Sequence, residues 1–208
     1  MVEWIMLRLH YSDESLEDIV KKSMNILKEG GIIAYPTESF YALGVPAIDE
    51  NSVRKLFDLK KRPEDRALPL IVGDNYTLIT CVKEIPDQAK ELMERFWPGA
   101  LTLIFEAKDH IPALLTGGTG KVAVRIPGES VAFQFISELR LPITATSANP
   151  SSLPSADSPE AVIAYFGERI DLLIDAGKTP GGKPSTIVDV TVSPPKVLRQ
   201  GSIVIGRQ

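Results

Sequence analysis

IIAYPTESFYALGVPAIDENSVRKLFDLKKRPEDRALPLIV, Ile32 to Val72, is the stretch that decides the fold. It opens and closes as a short apolar run, and both runs read as buried strands. Between them lie a polar turn, Pro36-Thr37-Glu38-Ser39, and a helix that ends in Lys60-Lys61-Arg62-Pro63. Val53, Leu56 and Phe57 mark the buried face of that helix at i, i+3 and i+4. The i+7 position calls for another apolar residue, and Lys60 stands there. A lysine continuing a core stripe must either reach water along its stem or meet a negative partner. Cations also suit the last turn of any helix, so the basic cluster has a second, purely local reading. The hydroxyl-rich turn and the two strand ends nearby favour an anion site.

Beyond this stretch the composition is ordinary: 44% hydrophobic and 24% charged, which points to neither disorder nor a membrane span. The longest apolar runs are strand-sized, well short of the ~20 residues that cross a bilayer. MVEWIMLRLH at the start carries Glu3 within an apolar run and reads as a strand rather than a signal peptide. Cys81 is the one cysteine, which excludes an intramolecular disulfide and fits a reducing cytoplasm. With His10 and His110 far apart, no zinc or iron ligand set is in sight. The net charge of −4 does not suggest a surface for nucleic acid. Any anion site must be a local concentration of Lys and Arg, and Arg54, Lys55, Lys60, Lys61, Arg62 and Arg66 provide one.

Ser15 and Asp18 suggest a capping box before a helix carrying Leu16, Ile19, Val20, Met24 and Leu27. Gly30-Gly31 ends that helix. Further helices are expected near Asp87–Phe96, Ser130–Leu139 and Pro159–Phe166, with one turn at Ala113–Leu115. Strands are expected at Ala100–Phe105, Val122–Ile126, Ile143–Thr146 and Asp171–Ile174, and then at Thr186–Val192, Lys196–Arg199 and Ser202–Ile205. Helices and strands alternate first and strands cluster at the end. The fold class is therefore α/β, an open, twisted mixed β-sheet flanked by helices, with residues 1–208 as one domain.

Gly117-Gly118-Thr119-Gly120-Lys121 looks like a phosphate loop but fails as one. Leu115 replaces the first Gly, Val122 replaces Ser/Thr, and a strand follows where a helix is needed. It reads as a flexible loop, a candidate lid. Ser147 is outside any G-x-S-x-G elbow. Ser147 and Asn149 follow a strand end, where open α/β sheets bind ligands, although turn chemistry alone also explains them. Ser185, Thr186 and Arg199 have the same two readings. Arg125, a guanidinium in mid-strand opposite Val122, Val124 and Ile126, needs a partner or a cavity.

Six pieces in order resemble the YrdC domain family, the threonylcarbamoyl-adenylate synthases of tRNA modification. They are PTES-x-Y (Pro36–Tyr41), K-x-RP (Lys60–Pro63), WPG-x-LT (Trp97–Thr102), VRIP (Val124–Pro127), TSAN (Thr146–Asn149) and LR-x-G near Arg199. The likeness runs from about Ser15 to Arg207. Ala42 stands where many relatives have Gly, and Arg66 where several have Lys. Longer members carry a second C-terminal domain, for which this sequence leaves no room.

The resemblance implies condensation of L-threonine, bicarbonate and ATP to L-threonylcarbamoyladenylate and pyrophosphate, with Mg2+ on the phosphates. It implies that Lys60 and Arg62 grip phosphates and the carbamate. Ser147 and Asn149 would then hold the nucleotide, Arg199 would serve the phosphate side, and Arg66 would be a second-rank phosphate ligand. Thr37, Arg125 and Ser185 would orient threonine, and Tyr41 would wall the pocket. The implied downstream partner is a tRNA threonylcarbamoyl transferase complex, with no membrane involved. Two alternatives stay open: a module that grips tRNA or double-stranded RNA without chemistry, and a carbamoyl-adenylate enzyme for another small molecule.

Overall fold

The computed structural model describes residues 6–11 and 15–205. Strand β1 (Leu7–His10) is followed by α1 (Leu16–Lys28), β2 (Ile33–Pro36) and β3 (Tyr41–Gly44). Then come α2 (Glu50–Lys60), β4 (Leu70–Ile71), α3 (Asn75–Cys81) and α4 (Asp87–Phe96). The middle of the chain supplies β5 (Leu101–Glu106), α5 (Ala113–Thr116), β6 (Lys121–Arg125) and α6 (Val131–Leu139). Two very short strands, β7 (Ile143–Thr144) and β8 (Thr146–Ser147), precede α7 (Pro159–Phe166). Strands β9 (Leu172–Asp175), β10 (Thr186–Asp189) and β11 (Lys196–Arg199) complete the order.

The mixed α/β architecture is the expected one, but the strands divide between two sheets. The first has five strands in the order β1-β9-β2-β3-β8, and the second six in the order β11-β10-β5-β6-β4-β7. Both combine parallel and antiparallel pairs: β2 runs parallel to β9 and antiparallel to β3, and β5 runs parallel to β10 and antiparallel to β6. The predicted strand Ile143–Thr146 is where the chain passes from one sheet to the other. Ile143 and Thr144 pair with β4, whereas Thr146 and Ser147 pair with β3. Ala145, between them, donates its N–H to Pro69 O at 2.8 Å. Ala145 also lines the cavity described below.

All four residues of β2 are buried, as its unbroken apolar reading requires. Ile33 and Tyr35 face a core shared with Ile19, Leu27, Phe135 and Ile136 of α1 and α6. Ala34 faces the other core, with Leu43, Val53, Leu56, Phe57, Val162 and Phe166. Helix α2 starts at Asp49, whose carboxylate accepts from Asn51 N–H at 3.1 Å. It ends at Lys61 in the left-handed region (φ 51°). There the Arg62 N–H bonds back to Phe57 O at 3.0 Å, and Pro63 prevents continuation.

The N-terminal strand is present as Leu7–His10, and residues 1–5 of its anticipated span lie outside the described residues. Three expectations change. Ser15 makes no side-chain cap to α1 and sends its hydroxyl back to His10 O at 3.3 Å. Ser202–Ile205 is not a strand. It is held by single bonds instead, Thr186 Oγ1 donating to Ile203 O at 2.6 Å and Ser202 N–H to Pro184 O at 3.1 Å. Gly201 permits this approach, since a Cβ there would meet Pro184 O at 2.1 Å. The Gly117–Lys121 loop is no lid. Gly117 (φ 58°) packs where a Cβ would meet Asp65 O at 2.8 Å, and none of these residues borders the cavity.

Candidate functional site

The turn between β2 and β3 is fixed by Thr37. Its hydroxyl donates to Phe40 O at 2.7 Å and accepts from Ser39 N–H at 3.2 Å. Thr37 is thus committed to local turn chemistry while still facing the cavity. Glu38, inside the turn, forms an ion pair with Arg125 at the end of β6. One oxygen, Oε1, accepts from Arg125 Nη1, whereas Oε2 is buried and has no donor among the described residues. The guanidinium, expected in mid-strand, stands at the strand's last residue and has both a partner and a cavity.

Lys60 is 2% exposed. Its ammonium donates to two backbone carbonyls, Ser147 O and Asn149 O, the second at 2.6 Å. Lys60 O in turn accepts from Ser151 N–H and from Ser151 Oγ at 3.0 Å. The lysine therefore clamps the loop after β8. Burial first, and Arg62 second, push its pKa down to about 7. Within that loop Ser147 Oγ donates to Asn149 Oδ1, and Asn149 Nδ2 donates to Leu153 O. Arg62 spans Arg66 O (3.0 Å) and Ala67 O (2.7 Å). Burial, and then Arg66, lower its pKa from the usual guanidinium value.

On the far wall, the start of β10 lies beside β5. Ser185 Oγ is 2.8 Å from Thr102 Oγ1. Arg199 reaches across from β11 to donate to Ser185 O at 2.8 Å and Ser185 Oγ at 3.2 Å. Burial, and next the charge of Arg125, lower the Arg199 pKa, so the two guanidinium groups feel one another. Tyr41 donates its phenol to Gly177 O at 2.7 Å. Burial pushes that phenol up to about 12, and it stays a donor throughout the neutral range.

These walls enclose a cavity of about 420 Å³ between the two sheets, beside the crossing at Ala145. Of the ten residues to which the resemblance gives a role, Thr37, Tyr41, Arg62, Arg125, Ser147, Ser185 and Arg199 line it. Lys60, Arg66 and Asn149 do not; Lys60 and Asn149 sit behind Ser147, and Arg66 is exposed. Thr102, Thr146, Ser39 and Ser155 add hydroxyls that sequence reading did not single out. Thr102 and Thr146 stand inside the WPG-x-LT and TSAN pieces, and Ser39 inside PTES, so a signal was present for those three. Three guanidinium groups against one neighbouring carboxylate make a locally positive, hydroxyl-rich chamber in an acidic chain. A larger groove of about 580 Å³ beside α4, lined by Asp74, Met93, Trp97 and Ile126 among others, offers neither guanidinium nor hydroxyl groups.

Fold and site together define a mixed α/β protein that holds a locally positive, hydroxyl-rich chamber between two sheets. The chain belongs to the Sua5/YciO/YrdC family, whose model, described as telomere recombination, matches residues 25–201. A threonylcarbamoyl-AMP synthase of Pyrococcus abyssi is 40% identical over 184 residues, 88% of this chain and 54% of that protein. The crystal structure of Pyrococcus abyssi Sua5 complexed with L-threonine is similar with a TM-score of 0.87 and 38% identity, covering 95% of this chain and 57% of that one. E. coli YciO is similar with a TM-score of 0.81 and 27% identity, covering 95% of each chain. The chain spans about half the length of two of the curated relatives it matches, those of Pyrococcus abyssi and Bacillus subtilis.

Proposed function

We propose that this chain is the catalytic domain of an L-threonylcarbamoyladenylate synthase, joining L-threonine, bicarbonate and ATP and releasing pyrophosphate. The observation that carries this reading is the convergence of Arg62, Arg125 and Arg199 with the hydroxyls of Ser147 and Ser185 on one cavity. Family membership and the threonine-bound relative support it. In this reaction the neutral threonine amine adds to CO₂ with release of a proton, or to bicarbonate with loss of water, to form a carbamate. A carbamate oxygen then attacks the α-phosphorus and pyrophosphate departs. No side-chain nucleophile is required, and the work is positioning plus stabilisation of negative charge. Arg62 and Arg199 would hold phosphate oxygens, Ser147 the nucleotide, and Arg125 the threonine carboxylate. Lys60 and Asn149 would act from behind, by holding Ser147 in place. Thr37 would shape the threonine end through the turn it organises, Ser185 would offer its hydroxyl there, and Tyr41 would close that wall.

Magnesium would arrive on the nucleotide. Among the described residues no three His, Cys, Asp or Glu side chains stand together as a metal site. Glu38 is committed to Arg125, so phosphate and water oxygens would supply the ligands. The product would pass to a tRNA threonylcarbamoyl transferase complex, because a mixed carbamic–phosphoric anhydride is an activated acyl donor that needs an acceptor. The test is mass spectrometry of products formed from ATP, bicarbonate and a mixture of amino acids. A threonyl adduct of carbamoyl-AMP is expected. An adduct of a different amino acid, or none, overturns the assignment.

A further inference from the structure

Strand β1 stands at the edge of the five-stranded sheet, beside β9. Three of its four residues are exposed, so apolar burial does not explain its place. What it grips is one carboxylate. Arg8 and His10 are two residues apart and therefore on one face of the strand, and both turn to Asp175 at the end of β9. Arg8 Nε donates to Asp175 Oδ2 at 2.8 Å, and its Nη2 lies 2.7 Å from the same oxygen. His10 Nδ1 is 3.3 Å from it, and Tyr11 N–H donates to Asp175 O at 2.7 Å. All four residues of β9 are buried and Asp175 carries its only charge. A carboxylate side chain that is 7% exposed requires such partners.

The other oxygen serves the turn that follows. Oδ1 accepts Gly177 N–H at 2.8 Å. Tyr41 closes the same turn, its phenol oxygen accepting Ala176 N–H at 3.3 Å and donating to Gly177 O at 2.7 Å. Burial dominates the raised pKa of that phenol. Among the lesser influences Asp175 and Glu160 raise it and Arg8 lowers it, so both members of the pair are felt at Tyr41. Tyr41 lines the cavity, and so do Pro184 and Ser185, to which the chain runs from this turn. Neither Arg8 nor Asp175 lines it. An ordinary Asp turn needs Oδ1 alone. The terminal torsion of an aspartate is broad and two-fold, so Arg8 on Oδ2 is what keeps Oδ1 on Gly177.

We infer that Asp175 is a positioning residue of the site: locked by Arg8 from the edge strand, it fixes Tyr41 and the start of residues 176–184, and through them the cavity wall that ends in Ser185. Strand β1 is then a working part of the site, although none of its residues borders the cavity. The inference rests on the reading that threonine and ATP meet in this cavity, and it adds a support behind the wall assigned to threonine. It also gives Arg8 a second task. A buried carboxylate left without its guanidinium would set an uncompensated negative charge behind a wall that has to receive anions.

Two measurements on Arg8→Met, Asp175→Asn and Asp175→Ala test this: hydrogen exchange of the unliganded protein, and steady-state pyrophosphate release with threonine and ATP varied separately. In Asp175→Ala, exchange at Gly177, Thr179 and Gly181 should quicken about 10-fold, as expected for one lost charged hydrogen bond. The KM for threonine should rise about 10-fold as well, while that for ATP changes by less than about 2-fold. Arg8→Met, a change at a partly exposed side chain, should move both readouts in the same direction by a smaller factor. Asp175→Asn keeps an acceptor for Gly177 N–H and should recover most of the exchange protection and of the threonine KM. Unchanged exchange in Asp175→Ala would overturn the inference. So would an equal rise in both KM values, or a lower Tm with both KM values unchanged, because Asp175 would then only strap β1 to β9. Should the unaltered protein make no threonyl product, the activity reading fails by itself. The exchange arms need no substrate: quickened exchange rescued by Asp175→Asn still supports the hold of Asp175 on the wall, and its absence overturns it.

Discussion

At the scale of single residues, Lys60 shows how far a pattern can be read. Its place after Val53, Leu56 and Phe57 marks it as buried, and it is 2% exposed. The sequence suggests a negative partner, but the partners are two neutral carbonyls, Ser147 O and Asn149 O, 87 and 89 residues further on. Backbone acceptors leave no trace in side-chain identity, so this clamp was not legible. Arg125 was legible because a mid-strand guanidinium demands an explanation. Glu38 was visible as a turn residue, but its partner lies 87 residues away. The clamp reverses the simplest expectation for Lys60→Met, which is that removing a buried charge does no harm to stability. Two buried carbonyls would lose their donor, and a loss of about 1–3 kcal/mol is expected. At this chain length that is a fall in Tm of roughly 2–10 °C. The pH dependence carries a second signature. With its pKa at about 7 in the fold against an ordinary 10.5, Lys60 binds fewer protons folded than unfolded between those values. The cost of burying its charge is therefore complete below pH 7 and is relieved as pH rises towards 10.5. The stability advantage of the unaltered protein over Lys60→Met should widen across that window in denaturant titrations. A constant difference would mean that the ammonium is not buried as described.

Elements were legible where one periodicity ran long enough. Helices α1, α4, α6 and α7 lie where their apolar spacing puts them. Helix α3 escaped notice because Thr77, Ile79 and Thr80 are β-branched and weak helix formers. Its Asp74 cap, which accepts from Thr77 N–H at 2.7 Å, supports it. Strand β3 was hidden behind the turn, and β7 and β8 read as one strand because nothing in Ile143–Ser147 announces a change of sheet. The end of α2 yields one prediction. Lys61 sits at φ 51°, where a Cβ is strained and glycine is not. Lys61→Gly should raise stability by up to about 1 kcal/mol in urea titrations while leaving Lys60 buried. The segment from Ala176 to Pro184 yields another. Its three glycines and two prolines suggest a mobile cover over the site. In the structure it is tied at Gly177 O by the Tyr41 phenol, at Thr179 N–H by Asp157 O (2.8 Å) and at Gly181 N–H by Ser39 O (2.8 Å). Tyr41→Phe removes the first tie, and hydrogen exchange of Thr179 and Gly181 should quicken about 10-fold, equivalent to one lost hydrogen bond. Unchanged exchange would show that the remaining ties, which include Gly177 N–H to Asp175 and the Lys178–Asp157 pair, suffice.

For the whole molecule, the balance of charge decides between the small-molecule enzyme and the RNA-gripping module. The chain carries −4 overall, so a duplex backbone approaching its surface meets net repulsion beyond the local cluster. The cavity's positive groups are set inward: Arg62, Arg125 and Arg199 converge on a space of about 420 Å³. Arg66 is exposed, as are Arg54 and Lys55, which are engaged with Glu50, Glu64 and Asp171. A double-stranded RNA wider than the cavity could meet only those outer cations, one charge at a time, and such contacts weaken steeply with salt. On the proposed reading a nucleoside triphosphate would enter and meet the inner three together. The consequence is a difference in thermal stability. At a concentration near 100 times its dissociation constant, ATP should stabilise the fold by about 2.7 kcal/mol. That corresponds to a Tm rise of roughly 5–10 °C at this chain length. Because the inner charges are partly shielded from solvent, most of that rise should survive at high salt. Double-stranded RNA at matched phosphate concentration should give no rise at physiological ionic strength. Arg62→Ala and Arg199→Ala should each reduce the ATP shift, since each takes away one of the converging guanidinium groups. Loss of the exposed Arg66 should reduce it far less. A melting series over ATP, RNA and salt checks all of this in one experiment. An RNA shift that exceeds the ATP shift and vanishes with salt would return the chain to the nucleic-acid-binding class.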